Sequence, residues 1–337
     1  MCEIRILGIE TSCDETAAAV VADGHKVLSD VVYSQIAVHQ EFGGVVPEVA
    51  SRKHIEHIAA VAQTALAEAG LSHHEIDAVA VTNRPGLIGA LLVGLSFAKA
   101  FAYAAEKPLI SVNHLEAHLY ANWLEHETIP LPAIGLVVSG GHTNLLYIRR
   151  MGDYELLGET IDDAAGEAFD KIARVLGLGY PGGPLIEKAA REGQAGYYTL
   201  PRVYLNQAQY DFSFSGLKTA AINLWRKQER SRTQMANHMA AEFQAAVVDV
   251  LTEKTVKAAQ AYRVPSVLLA GGVAANTYLR EQLETRLRKE GIQLFYPRLK
   301  LCTDNAAMVA GVGFPYYKKQ DFASLYTNAY ARVNFLG

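Results

Sequence analysis

Cysteine is scarce in this chain. Its 337 residues include three, Cys2, Cys13 and Cys302. So odd and scattered a set builds neither a disulfide framework nor a CxxC metal site. That usage fits a reducing compartment. Long apolar runs are missing too. The longest uncharged stretch around Gly89, from Pro85 to Ala98, has 14 residues. A spanning helix needs about 20, so the stretch reads as a buried core helix. Glu3 and Arg5 break the pattern of a secretory leader. Charge of one sign is also lacking. The formal net charge is −4, so a nucleic-acid partner would have to meet local basic patches or other subunits. Low-complexity segments are absent. Together these absences argue against a disulfide-stapled scaffold, a membrane span and a disordered chain, and they point to a cytoplasmic enzyme or assembly subunit.

The chain is long enough for two domains or one large one. Hydrophobic residues at 50% and charged ones at 20% are ordinary for a globular protein. The N-terminus predicts a hairpin, with strands at 4–9 and 17–21 around the polar turn Glu10-Thr11-Ser12-Cys13-Asp14-Glu15-Thr16. The pattern returns at 134–138 and 144–148 around Ser139-Gly140-Gly141-His142-Thr143. This recurrence suggests a duplicated fold with two lobes. Turns rich in Ser, Thr and Gly present N–H groups and hydroxyls that suit a phosphate, although each turn alone is also an ordinary hairpin. Ile55, Ile58, Ala62 and Leu66 predict one buried helix face with Gly70 as its stop. Strands at 78–82 and 267–270, and a helix carrying Leu279, Leu283 and Leu287, complete an α/β alternation. The stretch from Gly193 to Gly216 reads as an ordered surface loop with several aromatics packed beneath it.

Several constellations could carry chemistry. His114 and His118 are four apart, one turn of a helix, and can face one metal ion. Glu116 lies about 200° round the helix from His114, so the pair is not a zincin motif; it could equally be two surface or capping histidines. Asp304 is either a third ligand or a helix cap, and Asn276 after Gly271-Gly272 is either a cap or part of a nucleotide site. The acidic run from Asp162 to Lys171 reads as the opening of a helix, with Asp170 too far in to be a dipole partner. Tyr180-Pro181-Gly182-Gly183-Pro184 is a constrained turn able to meet a ligand through its backbone. Basic clusters at Arg52-Lys53, at Arg226, Lys227, Arg230 and Arg232, and at Arg286, Arg288, Lys289, Arg298 and Lys300 are either nucleic-acid contacts or solvated faces.

Taken together, these blocks resemble the TsaD family, the tRNA N6-adenosine threonylcarbamoyltransferases once labelled O-sialoglycoprotein endopeptidases. The resemblance rests on Gly8-Ile9-Glu10-Thr11-Ser12-Cys13-Asp14-Glu15-Thr16, residues 43–48, the His114–His118 motif and residues 138–143. It continues through residues 161–171, Asp211 to Thr219 and residues 270–276, so it covers nearly the whole chain in family order. It implies an α/β chain of the actin-like ATPase (ASKHA) fold, with two duplicated RNase H-like lobes around a nucleotide cleft. The lobes are expected at 1–125 and 126–337, with a C-terminal helix able to return to the first. It also implies transfer of threonylcarbamoyl from threonylcarbamoyl-AMP to N6 of the adenosine 3′ of the anticodon (position 37), in tRNAs reading codons that begin with adenine. The alternative is a metal-dependent ATPase or small-molecule kinase of the same fold.

By the same resemblance, His114, His118 and Asp304 would hold one iron (Fe2+) or zinc ion. Val137, Val138, Ser139, Gly140, Gly141, Asp170, Gly183, Glu187 and Asn276 would bind the adenylate substrate, in a site that ATP or ADP can also occupy. On chemical grounds Asp14, and Glu15 after it, are the candidate catalytic residues, to accept or position the amine proton; the other reading is an acidic turn that binds nothing. Expected partners are tRNA, a paralogous TsaB-type subunit and a small TsaE-type ATPase, with no membrane. Two positions depart from the family pattern. Arg84 stands where many members have Gly, and Glu187 where many have Asp.

Overall fold

The computed structural model describes residues 3–202, 204, 210–227 and 233–332. Cys2, Arg230 and Arg232 lie outside them. The anticipated first hairpin forms from β1 (Arg5–Glu10) and β2 (Glu15–Ala22), paired antiparallel. Both are runs of small and branched apolar residues, nearly all buried, as strands covered on both faces should be. β3 (Lys26–Ser34) pairs with β2, and then come α1 (Ile36–Gln40) and α2 (Pro47–Glu68). β4 (Ala78–Arg84), α3 (Ile88–Ala104), β5 (Leu109–Asn113) and α4 (His114–Tyr120) follow. The sheet order is β3-β2-β1-β4-β5, with β1, β4 and β5 parallel.

The second half repeats this plan. Its strands are β6 (Ala133–Val138), β7 (Thr143–Arg150) and β8 (Asp153–Glu159). Then come α5 (Ala165–Val175), α6 (Gly182–Arg191), α7 (Ser215–Arg226) and α8 (Thr233–Tyr262). β9 (Ser266–Ala270), α9 (Thr277–Lys289) and β10 (Gln293–Phe295) complete it. Its sheet runs β8-β7-β6-β9-β10, antiparallel on one side of β6 and parallel on the other. The two sheets therefore share one strand order, and the duplication extends well beyond the two hairpins.

The chain divides into Met1–Thr128 with Pro297–Gly337, and Ile129–Tyr296. The expected boundary at 125/126 thus falls three residues early, and the C-terminal segment belongs to the first unit. Its helix α10 (Ala306–Lys319) lies directly on β1. Gly8 permits this approach: a Cβ there would stand 2.4 Å from the Ala306 carbonyl oxygen and 2.6 Å from the Ala310 nitrogen.

Three local expectations change. On α2 the buried stripe is Ala50, His54, Ile58, Val61, Ala62 and Ala65, and Ile55 is 66% exposed. His54 takes the inward position because it finds polar partners there. Asp162 and Asp163 precede α5 rather than opening it. Asp162 accepts from the backbone of Phe214 and Ser215 and from the hydroxyls of Ser213 and Ser215, at the start of α7, while Asp163 pairs with Lys171 and Lys218. In the 193–216 stretch, Tyr198, Phe212 and Phe214 are buried but Tyr197 is exposed; residues 203 and 205–209 lie outside the described set. Among the described residues no helix is long and apolar enough to cross a membrane.

Candidate functional site: a histidine–carboxylate cluster and a glycine-lined turn

His114 opens α4 directly after β5, and Asn113 caps it by accepting from the Leu115 amide at 2.9 Å. His118 lies one turn on, so both imidazoles face one side. Asp304 comes to them from the loop before α10. It is not that helix's cap: Asn305 takes that role, accepting from the Met308 amide at 3.0 Å. Asp304 Oδ1 lies 3.1 Å from His118 Nε2 and 3.6 Å from His114 Nε2. One ligand atom from each of the three residues lies within 4.8 Å of the others. Ligand bonds of about 2.0–2.2 Å put neighbouring donors roughly 3–3.5 Å apart, so the spacing suits a single ion.

The electrostatics also suit a cation. Burial pushes the Glu15 carboxyl well up, and the negative charges of Asp14 and Asp304 push it further. Burial opposes charge on His114, yet Asp304 and Glu10 outweigh it and raise that imidazole to about 9. Burial, with the neighbouring His114, lowers His118. His118 Nδ1 is buried with no hydrogen-bond partner among the described residues. Two imidazoles and a carboxylate form a donor set suited to zinc or iron.

Glu10 was not anticipated as part of this site. It is fully buried at the end of β1, and its Oε2 lies 3.1 Å from His114 Nδ1. Thr82 Oγ1 donates to the same oxygen at 2.6 Å, and the Ser12 amide donates to Oε1 at 2.6 Å. A carboxylate behind a ligating histidine fixes its tautomer and its ring orientation. In the sequence Glu10 looked like the first polar residue of a turn; its link to His114 spans 104 positions. Glu116 is buried against α10 and accepts from Tyr316 Oη at 2.7 Å, which confirms that it does not face the cluster. Asp14 is 8% exposed and Glu15 half-buried at the start of β2, and Ser34 Oγ lies 3.4 Å from Glu15 Oε1.

The second unit carries the other candidates. Val137 and Val138 are buried at the end of β6. The Ser139 amide donates to the His142 carbonyl at 2.8 Å and Ser139 Oγ accepts from the His142 amide at 3.1 Å, so Ser139 is committed to closing the turn. Gly140, Gly141, Gly183 and Gly272 have no heavy atom within 4 Å of the position a Cβ would take. These four face open space, and packing alone does not require them. Gly271 differs: its φ is +89°, and a Cβ would meet the Val138 carbonyl oxygen at 2.4 Å.

Asp170 Oδ1 accepts from the Gly182 amide at 2.6 Å and so holds the start of α6. Asn276 caps α9 by accepting from the Leu279 amide, and its Nδ2 donates to Gln244 Oε1, both at 2.9 Å. Glu187 accepts from Arg191 at 2.7 Å and lines a cavity of about 300 Å3 with Gln244, Thr277, Tyr278 and Glu281. Gln244 was missed because it sits inside the apolar run of α8.

Of the basic clusters, Arg52 pairs with Glu48, Lys53 with Glu56, Arg286 with Glu253, Arg288 with Glu284, and Arg298 with Glu125. Lys300 lies 3.8 Å from Asp30. Much of that charge is offset locally. Arg226 and Lys227 are exposed at the end of α7, and Lys289 at the end of α9. Arg84 donates to the Asn83 side chain at 3.0 Å.

The family model described as TsaD, tRNA N6-adenosine threonylcarbamoyltransferase, matches residues 26–311. This chain belongs to that family. A tRNA N6-adenosine threonylcarbamoyltransferase from Syntrophomonas wolfei is 63% identical over 97% of each chain. One from Moorella thermoacetica is 55% identical over 97% of this chain and 96% of its own. Among solved structures, component A of (R)-2-hydroxyglutaryl-CoA dehydratase from Acidaminococcus fermentans superposes with a TM-score of 0.55 at 13% identity, covering 94% of this chain and 99% of that one. The ROK hexokinase from Thermus thermophilus gives 0.52 at 18%, covering 94% and 100%. At such identities these likenesses carry the fold alone: the actin-like ATPase type, with two lobes built on one plan.

Proposed function

We propose that this chain transfers a threonylcarbamoyl group from threonylcarbamoyl-AMP to N6 of the adenosine 3′ of the tRNA anticodon. The observation that carries the reading is 63% identity, over 97% of both chains, to a tRNA N6-adenosine threonylcarbamoyltransferase. The histidine–carboxylate cluster and the open glycine turns support it. The rival reading, an ATPase or small-molecule kinase of the same fold, is not favoured by these relatives.

The chemistry is acyl transfer. The N6 nitrogen attacks the carbamoyl carbon, the bond from that carbon to the phosphate oxygen breaks, AMP leaves, and the nitrogen gives up a proton. An iron or zinc ion held by His114, His118 and Asp304 would supply Lewis-acid stabilisation of negative charge. Glu10 holds the proton on His114 Nδ1 and leaves Nε2 as the donor atom. Gly140 and Gly141 admit the donor's phosphate close to the backbone, and Gly183 and Gly272 keep space for its ribose and base. Val137, Val138 and Ser139 shape the turn from below. Asp170 and Asn276 act by holding α6 and α9 in place, and Glu187 borders the donor's cavity. Asp14 accepts the amine proton or orients the amine, with Glu15 beside it.

The tRNA grip is shared with a TsaB-type paralogue and a TsaE-type ATPase, in keeping with the local pairing of the basic clusters. Release of AMP from threonylcarbamoyl-AMP, followed with and without tRNA, tests the reading. Release should depend on tRNA in proportion to acceptor; equal release without tRNA would point to a hydrolase.

A further inference from the structure

The 43–48 motif and the polar residues beneath the acidic turn have no part in the scheme above. Four of those residues, Thr16, Gln35, His39 and His54, have no exposure to solvent. Buried polar groups in such numbers are held by hydrogen bonds or not at all, and here the bonds run in a single direction. His54 Nε2 lies 3.0 Å from the Cys13 carbonyl oxygen. A carbonyl only accepts, so Nε2 carries the proton and Nδ1 is the acceptor. Thr16 Oγ1 then donates to Nδ1 at 2.7 Å, and Gln35 Nε2 faces it at 3.4 Å. The other amide atom, Gln35 Oε1, accepts from His39 Nε2 at 3.2 Å. That leaves His39 Nδ1 as an acceptor, and the Val46 amide meets it at 3.3 Å. The Gln35 backbone amide also donates to the Asp14 carbonyl at 3.1 Å. In both histidines Nε2 is thereby the donor and Nδ1 the acceptor. Burial, which lowers the affinity of His54 for a second proton, agrees with this.

We propose that His54 is a positioning residue for the acidic turn. It holds the Cys13 carbonyl directly, and through Gln35 and His39 it anchors Cys13-Asp14-Glu15 to the 43–47 loop at Val46. The relay explains why a histidine and not Ile55 takes the inward position on α2. It also gives the 43–48 motif a function at the site: Val46 supplies the far anchor, and Pro47 starts the helix that carries His54. The inference rests on the reading of Asp14 as the group that meets the acceptor amine, because what the relay fixes is the backbone on either side of Asp14. Misplacing a catalytic group by about 1 Å costs on the order of a hundredfold in rate.

The test uses His54→Leu, which keeps the volume and breaks the relay, and His54→Gln, whose amide nitrogen can still donate to the Cys13 carbonyl. Each is assayed with its partners for transfer to tRNA, alone and combined with Asp14→Asn. Amide exchange at Gln35, whose N–H is bound to Asp14, is measured alongside thermal stability and metal content. His54→Leu should lower kcat by no more than Asp14→Asn does, about a hundredfold where Asp14 takes the proton and less than about tenfold where it only orients the amine, with unchanged KM for tRNA and unchanged metal content. It should speed exchange at Gln35 and add no further loss to Asp14→Asn, and His54→Gln should restore most of the rate and the protection. Unchanged exchange at Gln35 in His54→Leu would overturn the proposal, as would losses that multiply with those of Asp14→Asn. Wild-type transfer by Asp14→Asn alone would refute the reading of Asp14 and leave the exchange measurement to decide the positioning role.

Discussion

Replacing Glu10 by Gln keeps the shape of a buried side chain and removes its charge. The carboxylate accepts three hydrogen bonds: from the Ser12 amide on Oε1, and from Thr82 Oγ1 and His114 Nδ1 on Oε2. An amide has one acceptor and one donor end, so it cannot reproduce this pattern. With its oxygen toward Ser12, its NH2 faces His114 Nδ1. The imidazole must then accept at Nδ1 and carry its proton on Nε2, the atom that faces Asp304. With its oxygen toward His114, its NH2 opposes the Ser12 N–H in a fully buried site. The second arrangement leaves a buried donor mismatched, at a cost of about 1–3 kcal/mol, while the first puts a proton on the nitrogen that a metal ion would need. If the first wins, the cost falls on metal affinity, where about 1.4 kcal/mol is tenfold; a loss of roughly 10–100-fold is expected, as for other outer carboxylates behind ligating histidines. If the second wins, it falls on folding stability. Titration of metal-free protein with Zn2+ or Co2+, read by calorimetry, and thermal melting of the same samples separate the two. Glu10→Gln with wild-type metal affinity and wild-type melting would refute the reasoning.

Other outcomes follow from the same geometry. His114→Ala combined with His118→Ala should abolish stoichiometric metal by elemental analysis. Gly272→Val fills space that no protein atom uses, so it should weaken AMP binding by about 5–150-fold, the equivalent of about 1–3 kcal/mol of overpacking, with little change in melting; Gly271→Ala should instead destabilise the fold, because a Cβ there meets the Val138 carbonyl at 2.4 Å. Asp14→Asn should spare metal and donor binding and lower transfer by about 10²–10⁴ if Asp14 takes the proton, or by less than about tenfold if it only orients the amine. His54 has its affinity for a proton lowered by burial, so the unfolded chain binds more protons than the folded one just below the ordinary histidine range. Its contribution to stability is therefore complete above about pH 6.5 and is lost as pH falls, by at most about 1.4 kcal/mol per pH unit; denaturant melts of His54→Gln between pH 7.5 and 5.5 should show a shallower fall than wild type.

Elements were legible where one local pattern decides them. The apolar strands around 10–16 and 139–143, and the leucine stripe of α9, depend on neighbours a few residues apart, and they form where expected. His114 and His118 were legible as a pair for the same reason. Asp304 was legible only as one of two readings, third ligand or helix cap, because its approach depends on α10 returning to β1 across Gly8, a contact between segments 298 positions apart; the family resemblance favoured the ligand. Glu10 and His54 were hidden for a related reason. Each is a polar residue on the buried side of its element, Glu10 in the apolar strand β1 and His54 on the inward face of α2, and its partners come from other segments. Asp170 and Asn276 illustrate a further difficulty. Both were candidates for ligand contact, and both have backbone amides as partners, since a cap and a ligand contact use the same side-chain atoms.

Nucleoside analysis of tRNA tests the central claim most directly. Unmodified tRNA is incubated with threonylcarbamoyl-AMP, this protein and the TsaB-type and TsaE-type proteins proposed as its partners, then digested and separated. N6-threonylcarbamoyladenosine should appear in tRNAs that read codons beginning with adenine, and it should fall to background when His114→Ala and His118→Ala are combined. Adenylate consumption with no modified nucleoside, or full modification by the double variant, would contradict the account.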